Sequence, residues 1–89
     1  MLSGMVAACA VAPVQEMSNA RQAIKAARDA GADRLAPQKL SEAQALLERA
    51  ETSLQSRSYR DARRNAVAAR GRASEALATI RPGEIKETG

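Results

Sequence analysis

From Met17 onward, apolar and small residues recur along the chain at alternating steps of three and four. The first set is Met17, Ala20, Ile24 and Ala27, and the second is Leu40, Ala43, Leu47, Ala50 and Leu54. The third is Tyr59, Ala62, Ala66, Ala69, Ala73, Ala76 and Ile80. A repeat of this kind is the signature of helices packed along a narrow seam. It predicts an all-α fold, an antiparallel three-helix bundle with helices over about 14–30, 37–56 and 58–80.

The punctuation between the sets agrees. Gly31 can adopt the left-handed conformation that closes a helix. Pro37 suits the first position of the next one, with Leu35 and Leu40 spaced as a hydrophobic staple. Ser58 and Asp61 read as a capping box opening the last helix, and Pro82 with Gly83 would end it. Gly71 falls inside that last helix, where a glycine is expected to be tolerated at a cost of about 1 kcal/mol relative to alanine. The expected organisation is a truncated signal segment and linker over 1–12, a helical domain over 13–81 and a mobile tail over 82–89.

Short connections make neighbouring helices antiparallel, which lets the registers be tested against each other. Residues facing across each turn should have numbers with a constant sum, and one constant per turn accommodates the whole pattern. Four layers result, Met17/Ala50/Ala66, Ala20/Leu47/Ala69, Ile24/Ala43/Ala73 and Ala27/Leu40/Ala76. Each holds one large residue and two alanines, a combination that lets helices approach closely without voids. A fifth layer, Leu54/Ala62, would meet Pro13 and Val14. The competing architecture is a two-helix hairpin that completes its core by forming a homo-oligomer.

Composition supports helices and limits stability. The chain has 89 residues and one aromatic side chain, Tyr59, so its core must be aliphatic and small. Alanine, the best intrinsic helix former, dominates. A domain of this size lies near the lower limit for unaided folding. Fourteen basic against ten acidic residues give a net charge of +4, which favours anionic partners. The excess of arginine over lysine reads as coding bias rather than as a selected phosphate-binding surface.

The chain opens MLSGMVAACAVAP, and Cys9 is its only cysteine. Val6-Ala7-Ala8-Cys9 has the form of a bacterial lipobox, an aliphatic residue and two small ones before the cysteine that becomes acylated. Small residues suit the narrow groove of a signal peptidase, and several acyl chains on one cysteine anchor firmly, at about 0.8 kcal/mol per buried CH₂. No basic residue precedes Cys9, so the expectation is a leader truncated at its start. The alternative is an apolar N-terminus with an incidental cysteine.

The run SNARQAIKAARDAGADRLAPQKLSEAQALLERAETSLQSRSYRDARRNAVAA resembles a small bacterial domain family of unknown function. The pattern is Ala20-Arg21-x-Ala23-Ile24-x-Ala26, then Ala30-Gly31, Ala36-Pro37-x-x-Leu40-x-x-Ala43 and Tyr59-x-x-Ala62-Arg63, covering roughly residues 18–75. The resemblance implies a lipoprotein of the Gram-negative envelope, some relatives carrying a C-terminal OmpA-like peptidoglycan-binding domain. Leu35 stands where many relatives have an aromatic residue. No peptidoglycan-binding role carries over, because nothing here matches that domain. SYRDARRNAVAA also resembles one tetratricopeptide-repeat hairpin, a likeness of packing only, since repeats need stacked neighbours.

Catalysis finds no support. Without histidine there is no Ser/His or Cys/His pair, and one cysteine excludes the usual zinc sites. Neither a metal nor a cofactor is expected, and Glu42, Glu48 and Glu51 read as surface pairing partners rather than acid/base groups. The remaining chemistry is cationic. Arg57, Arg60, Arg63, Arg64 and Arg70, with Arg72 beyond them, form a candidate anion-binding set for phosphate oxygens of nucleic acid or lipid headgroups. The competing reading is the solvated side of an alanine-faced helix, and it is preferred because the charge is spread around the helix and no aromatic platform exists for bases.

The expected function is a non-catalytic structural or interaction module, a small envelope lipoprotein on the periplasmic side of the outer membrane. Its partners would be the membrane, through a lipid anchor on Cys9, and an envelope protein. Ala10 favours the outer membrane, since aspartate after the cysteine would imply inner-membrane retention. Two alternatives are a cytoplasmic nucleic-acid-binding helical protein using the arginines of the third helix, and an adaptor that binds a partner helix in an open groove.

Overall fold

The computed structural model describes residues 11–80, and all regular structure among them is helical. The described residues form four helices in chain order, α1 (Val14–Asp29), α2 (Ala32–Leu35), α3 (Pro37–Gln55) and α4 (Tyr59–Ile80). The three long ones fall within a residue or so of where the periodicity places them. The expected tail over 82–89 and the helix stop at Pro82 and Gly83 lie outside the described residues.

The single turn of α2 is a departure from the expected three helices. At the end of α1 the Ala30 N–H donates to Ala26 O at 3.1 Å and the Gly31 N–H to Arg28 O at 2.9 Å. Gly31 takes φ 98°, which glycine adopts without a Cβ penalty. Its carbonyl then accepts from the N–H groups of Arg34 and Leu35 at 3.0 and 2.9 Å, starting a new turn. That turn stops because Pro37 disfavours the helical region for the residue before it. Ala36 accordingly sits at φ −147° and caps α3, with Pro37 in its first turn. One turn between a glycine and a proline is too short to show any period.

The staple expected here is not how the corner is covered. Leu35 is 58 % exposed, while Ala32 and Ala36 are buried beside Leu40 in one apolar cluster. Ala32 and Ala36, at either end of this turn, carry the packing.

The α3–α4 connection uses the same left-handed closure with a different residue. Ser58 N–H donates to Ser53 O at 2.8 Å and Arg57 N–H to Leu54 O at 3.0 Å. Those two bonds define a Schellman motif, with Arg57 at the left-handed position, φ 62°. The expected capping box loses its return bond for this reason. The Ser58 N–H, which Asp61 would have to accept, is donated back to α3, and the Asp61 carboxylate instead lies 3.7 Å from Arg64. The Ser58 carbonyl still starts α4, accepting from Ala62 N–H at 2.9 Å.

The core follows the layers. Met17, Ala20, Ala50, Ala66 and Ala69 form one buried cluster, which unites the first two layers. Ile24, Ala27, Leu40, Ala43, Ala73 and Ala76 form the other, joined by Ala32 and Ala36. Leu47 packs against both clusters but is only partly buried, a correction to its expected central place. Leu46 and Leu54 are partly buried against one cluster only. The fifth layer is half right, since Pro13 is fully buried but Val14 is 71 % exposed. At Gly71 an added Cβ would meet nothing within 4 Å, so no close approach requires that glycine.

These burial differences rank the leucines. Leu40, 5 % exposed, should lose about 2–5 kcal/mol on Leu40→Ala. Leu47→Ala should lose less and Leu46→Ala least, in denaturant unfolding of the three variants. Equal losses would contradict this helical phase.

The left-handed Arg57 supports a second expectation. Relief of its Cβ strain should let Arg57→Gly raise stability by up to about 1 kcal/mol, offset in part by the extra freedom of glycine in the unfolded chain. A shift of the urea midpoint to higher concentration is the result to look for, and a fall would count against the strain.

Candidate functional site

The cationic set of α4 divides into residues that pack and residues that do not. Arg63 is half-exposed and reaches toward the N-terminal segment, with Nε 3.4 Å from Glu16 Oε2 and Nη2 donating to the Val11 carbonyl at 3.4 Å. Arg72 bridges to α3, with Nε 3.3 Å from Glu42 Oε1, and also pairs with Glu75 one turn on at 3.3 Å. Arg64 has Asp61 at 3.7 Å. Arg57, Arg60 and Arg70 are exposed, and none has a carboxylate within ion-pair distance among the described residues.

Position separates them further. Arg57, Arg60, Arg63 and Arg64 occupy the α3–α4 turn and the start of α4. Arg70 lies about 15 Å further along the helix axis than Arg60, at 1.5 Å per residue. It lines an open groove of about 330 Å³ with Asn19, Gln22 and Ser74. The five candidates are therefore not one site. Four share an end of the domain and one does not.

The carboxylates have structural partners. Lys39 Nζ lies 2.9 Å from Glu75 Oε1, and Arg21 Nη2 lies 3.5 Å from Glu51 Oε2. With Glu16–Arg63 and Glu42–Arg72, four ion pairs thus link different helices along the rims of the seam. All are a third to a half exposed, so screening keeps each contribution small. Sequence reasoning took Glu42 and Glu51 for surface pairing partners but did not foresee that their partners lie on other helices. The core register contains the signal, because it sets Lys39 and Glu42 near Glu75 and Arg72.

The other surface concavities are open as well. One of about 460 Å³ is lined by Glu48, Arg49, Thr52, Ser53 and Asn65. Another, of about 490 Å³, has Ile24 and Leu47 at its apolar base between Arg21, Arg28, Glu48 and Glu51. Opposite charges are mixed along the walls, and among the described residues no cluster of three or more potential metal-ligating Cys, Asp or Glu side chains exists.

The class defined by these features is an alanine-cored, all-helical small domain with ion-paired helix rims and a basic end. Residues 15–87 match the family described as Domain of unknown function (DUF4398), and the chain belongs to it. No curated protein and no solved structure matches the chain.

One carboxylate carries a pH signature. Lys39, by hydrogen bond and charge, and then Arg72 hold the Glu75 carboxyl below its ordinary value. A depressed carboxylate pKa contributes stability above the unfolded-state value, and that contribution is lost as pH falls through the folded one. Glu75→Gln should therefore lower stability near neutrality, with the gap to the parent closing in acid below the ordinary carboxylate range. Urea midpoints across that range test it, and a gap independent of pH would exclude the ion pair as its source.

Proposed function

We propose that this chain is a small lipoprotein of the cell envelope, acylated at Cys9 and held on the periplasmic side of the outer membrane. Its helices act there as an antiparallel three-helix bundle, a non-catalytic structural or interaction module. Val6-Ala7-Ala8-Cys9 is the observation that carries the reading. Cys9 itself lies outside the described residues.

The start of packed structure soon after the cysteine fits a tethered domain. Pro13 is buried and α1 begins at Val14, so only a short linker separates the lipobox from the bundle. No helix among the described residues is long and apolar enough to cross a membrane. On this reading attachment rests on the acyl chains. Ala10, rather than an aspartate, supports the outer membrane by resemblance to sorted lipoproteins.

The antiparallel bundle is supported by the pairings across the seam. Lys39 meets Glu75 near the start of α3 and the end of α4, while Glu42 meets Arg72 one turn inward. Glu16 near the start of α1 meets Arg63 near the start of α4, as a parallel α1 and α4 require. An envelope protein would find its apolar foothold at the partly exposed Leu47, in the groove flanked by Arg21 and Glu51.

Nucleic-acid binding ranks second, because Arg63 and Arg72 already serve carboxylates of neighbouring helices.

Mass spectrometry of the native protein from a membrane fraction is the test. An N-terminal acylated Cys9 is the expected species, and Cys9→Ser should move the protein to the soluble fraction without acylation. A soluble protein with a free thiol on an uncleaved N-terminus would refute the anchor.

A further inference from the structure

We infer that the domain end bearing Arg57, Arg60 and Arg64 docks on anionic phospholipid headgroups of the membrane that holds the anchor. The inference rests on the Cys9 reading for its setting, and three features of the domain end give it content.

The first is proximity. Val11 is tied to the start of α4 by the Arg63 hydrogen bond to its carbonyl, and Glu16 is tied there by the Arg63 ion pair. Cys9 is two residues before Val11, so its Cα lies at most about 7 Å from that of Val11. An acylated Cys9 therefore brings this end of the domain to the lipid surface. The Gly31 corner lies away from it, at the other end of α1.

The second is availability. Arg57, Arg60 and Arg64 are exposed. Arg57 and Arg60 have no ion-pair partner among the described residues, and Arg64 has only Asp61 at 3.7 Å. A guanidinium fork suits phosphate oxygens. Tyr59, the chain's only aromatic residue, is half-buried, so no platform for stacking bases accompanies the charge. That chemistry favours headgroup phosphates over nucleic acid.

The third is strain. Arg57 sits at φ 62°, where glycine would be easier, and its side chain is exposed rather than part of the core. A non-glycine residue held in that region points to a role for its side chain. Contact with phosphate supplies one.

The test uses the unacylated full chain and vesicles of phosphatidylcholine with or without phosphatidylglycerol, read by co-sedimentation at low salt. Binding is expected only with phosphatidylglycerol, weakening as salt rises. At about fivefold per arginine near a charged surface, the triple variant Arg57→Gln, Arg60→Gln, Arg64→Gln should partition roughly a hundredfold more weakly. A control triple, Arg28→Gln, Arg34→Gln, Arg70→Gln, removes the same charge elsewhere and should stay within a few-fold of the parent. Far-UV circular dichroism checks that both variants keep their helices.

Equal losses in the two triples would reduce the effect to net charge and overturn the proposal. So would equal partitioning onto the neutral vesicles, or duplex DNA binding that survives physiological salt and is lost in the first triple. Because no acyl chain is involved, the vesicle result stands or falls separately from the mass of the native N-terminus.

Discussion

The inner face of α4 sets the terms for the rest of the molecule. Its buried residues are Ala62, Ala66, Ala69, Ala73 and Ala76, with nothing larger among them. A face of methyl groups lets neighbouring helix axes come to the short end of the usual spacing of about 8–10 Å. Each alanine offers only about one methyl group's worth of burial, near 0.8 kcal/mol, but loses no rotamer freedom in doing so. The bulk must then come from the other helices. Met17 and Ile24 on α1 and Leu40 on α3 supply it, and Leu47 lends part of its surface to both clusters.

Close approach also explains the rim. Side chains flanking an alanine seam are brought within reach of the opposite helix, which is why Lys39–Glu75, Glu42–Arg72 and Glu16–Arg63 form between elements. None of these pairs is buried, so none has to overcome a large desolvation penalty. Their mixed signs fix which residues face each other more than they add stability. Apolar size and charge thus specify the same register by independent routes.

Much of this was legible in the chain. Steps of three and four located α1, α3 and α4, and twelve of the buried residues, from Met17 to Ala76, stand at the positions those steps single out. What the pattern could not resolve was shorter than its period or dependent on competition for one group. α2 is a single turn between Gly31 and Pro37. The Ser58–Asp61 spacing reads as a capping box, yet the Ser58 N–H is claimed by Ser53. Leu35 has the spacing of a staple residue but lies outside the alanine-lined corner, and Val14 lies outside the seam that buries Pro13. Spacing identifies a candidate partner. Which of two acceptors wins depends on backbone geometry that spacing does not contain.

The two turns show where that distinction touches function. Gly31 and Arg57 close their helices in the same left-handed region, at φ 98° and 62°. Folding alone explains the first, since glycine is the residue such a cap asks for. It does not explain the second, whose side chain is exposed and outside the core. The arginines of the set divide along the same line. Arg63 and Arg72 are accounted for by carboxylates on neighbouring elements, whereas Arg57 and Arg60 are not. Arg70 is unpaired as well but lies about 15 Å further along the helix axis, whereas Arg57 and Arg60 are neighbours at the end where Arg63 holds Val11, two residues from the cysteine. On the proposed reading, an acylated Cys9 would hold these guanidinium groups within a Debye length of the headgroups, so that charge attraction would orient a domain the acyl chains already retain.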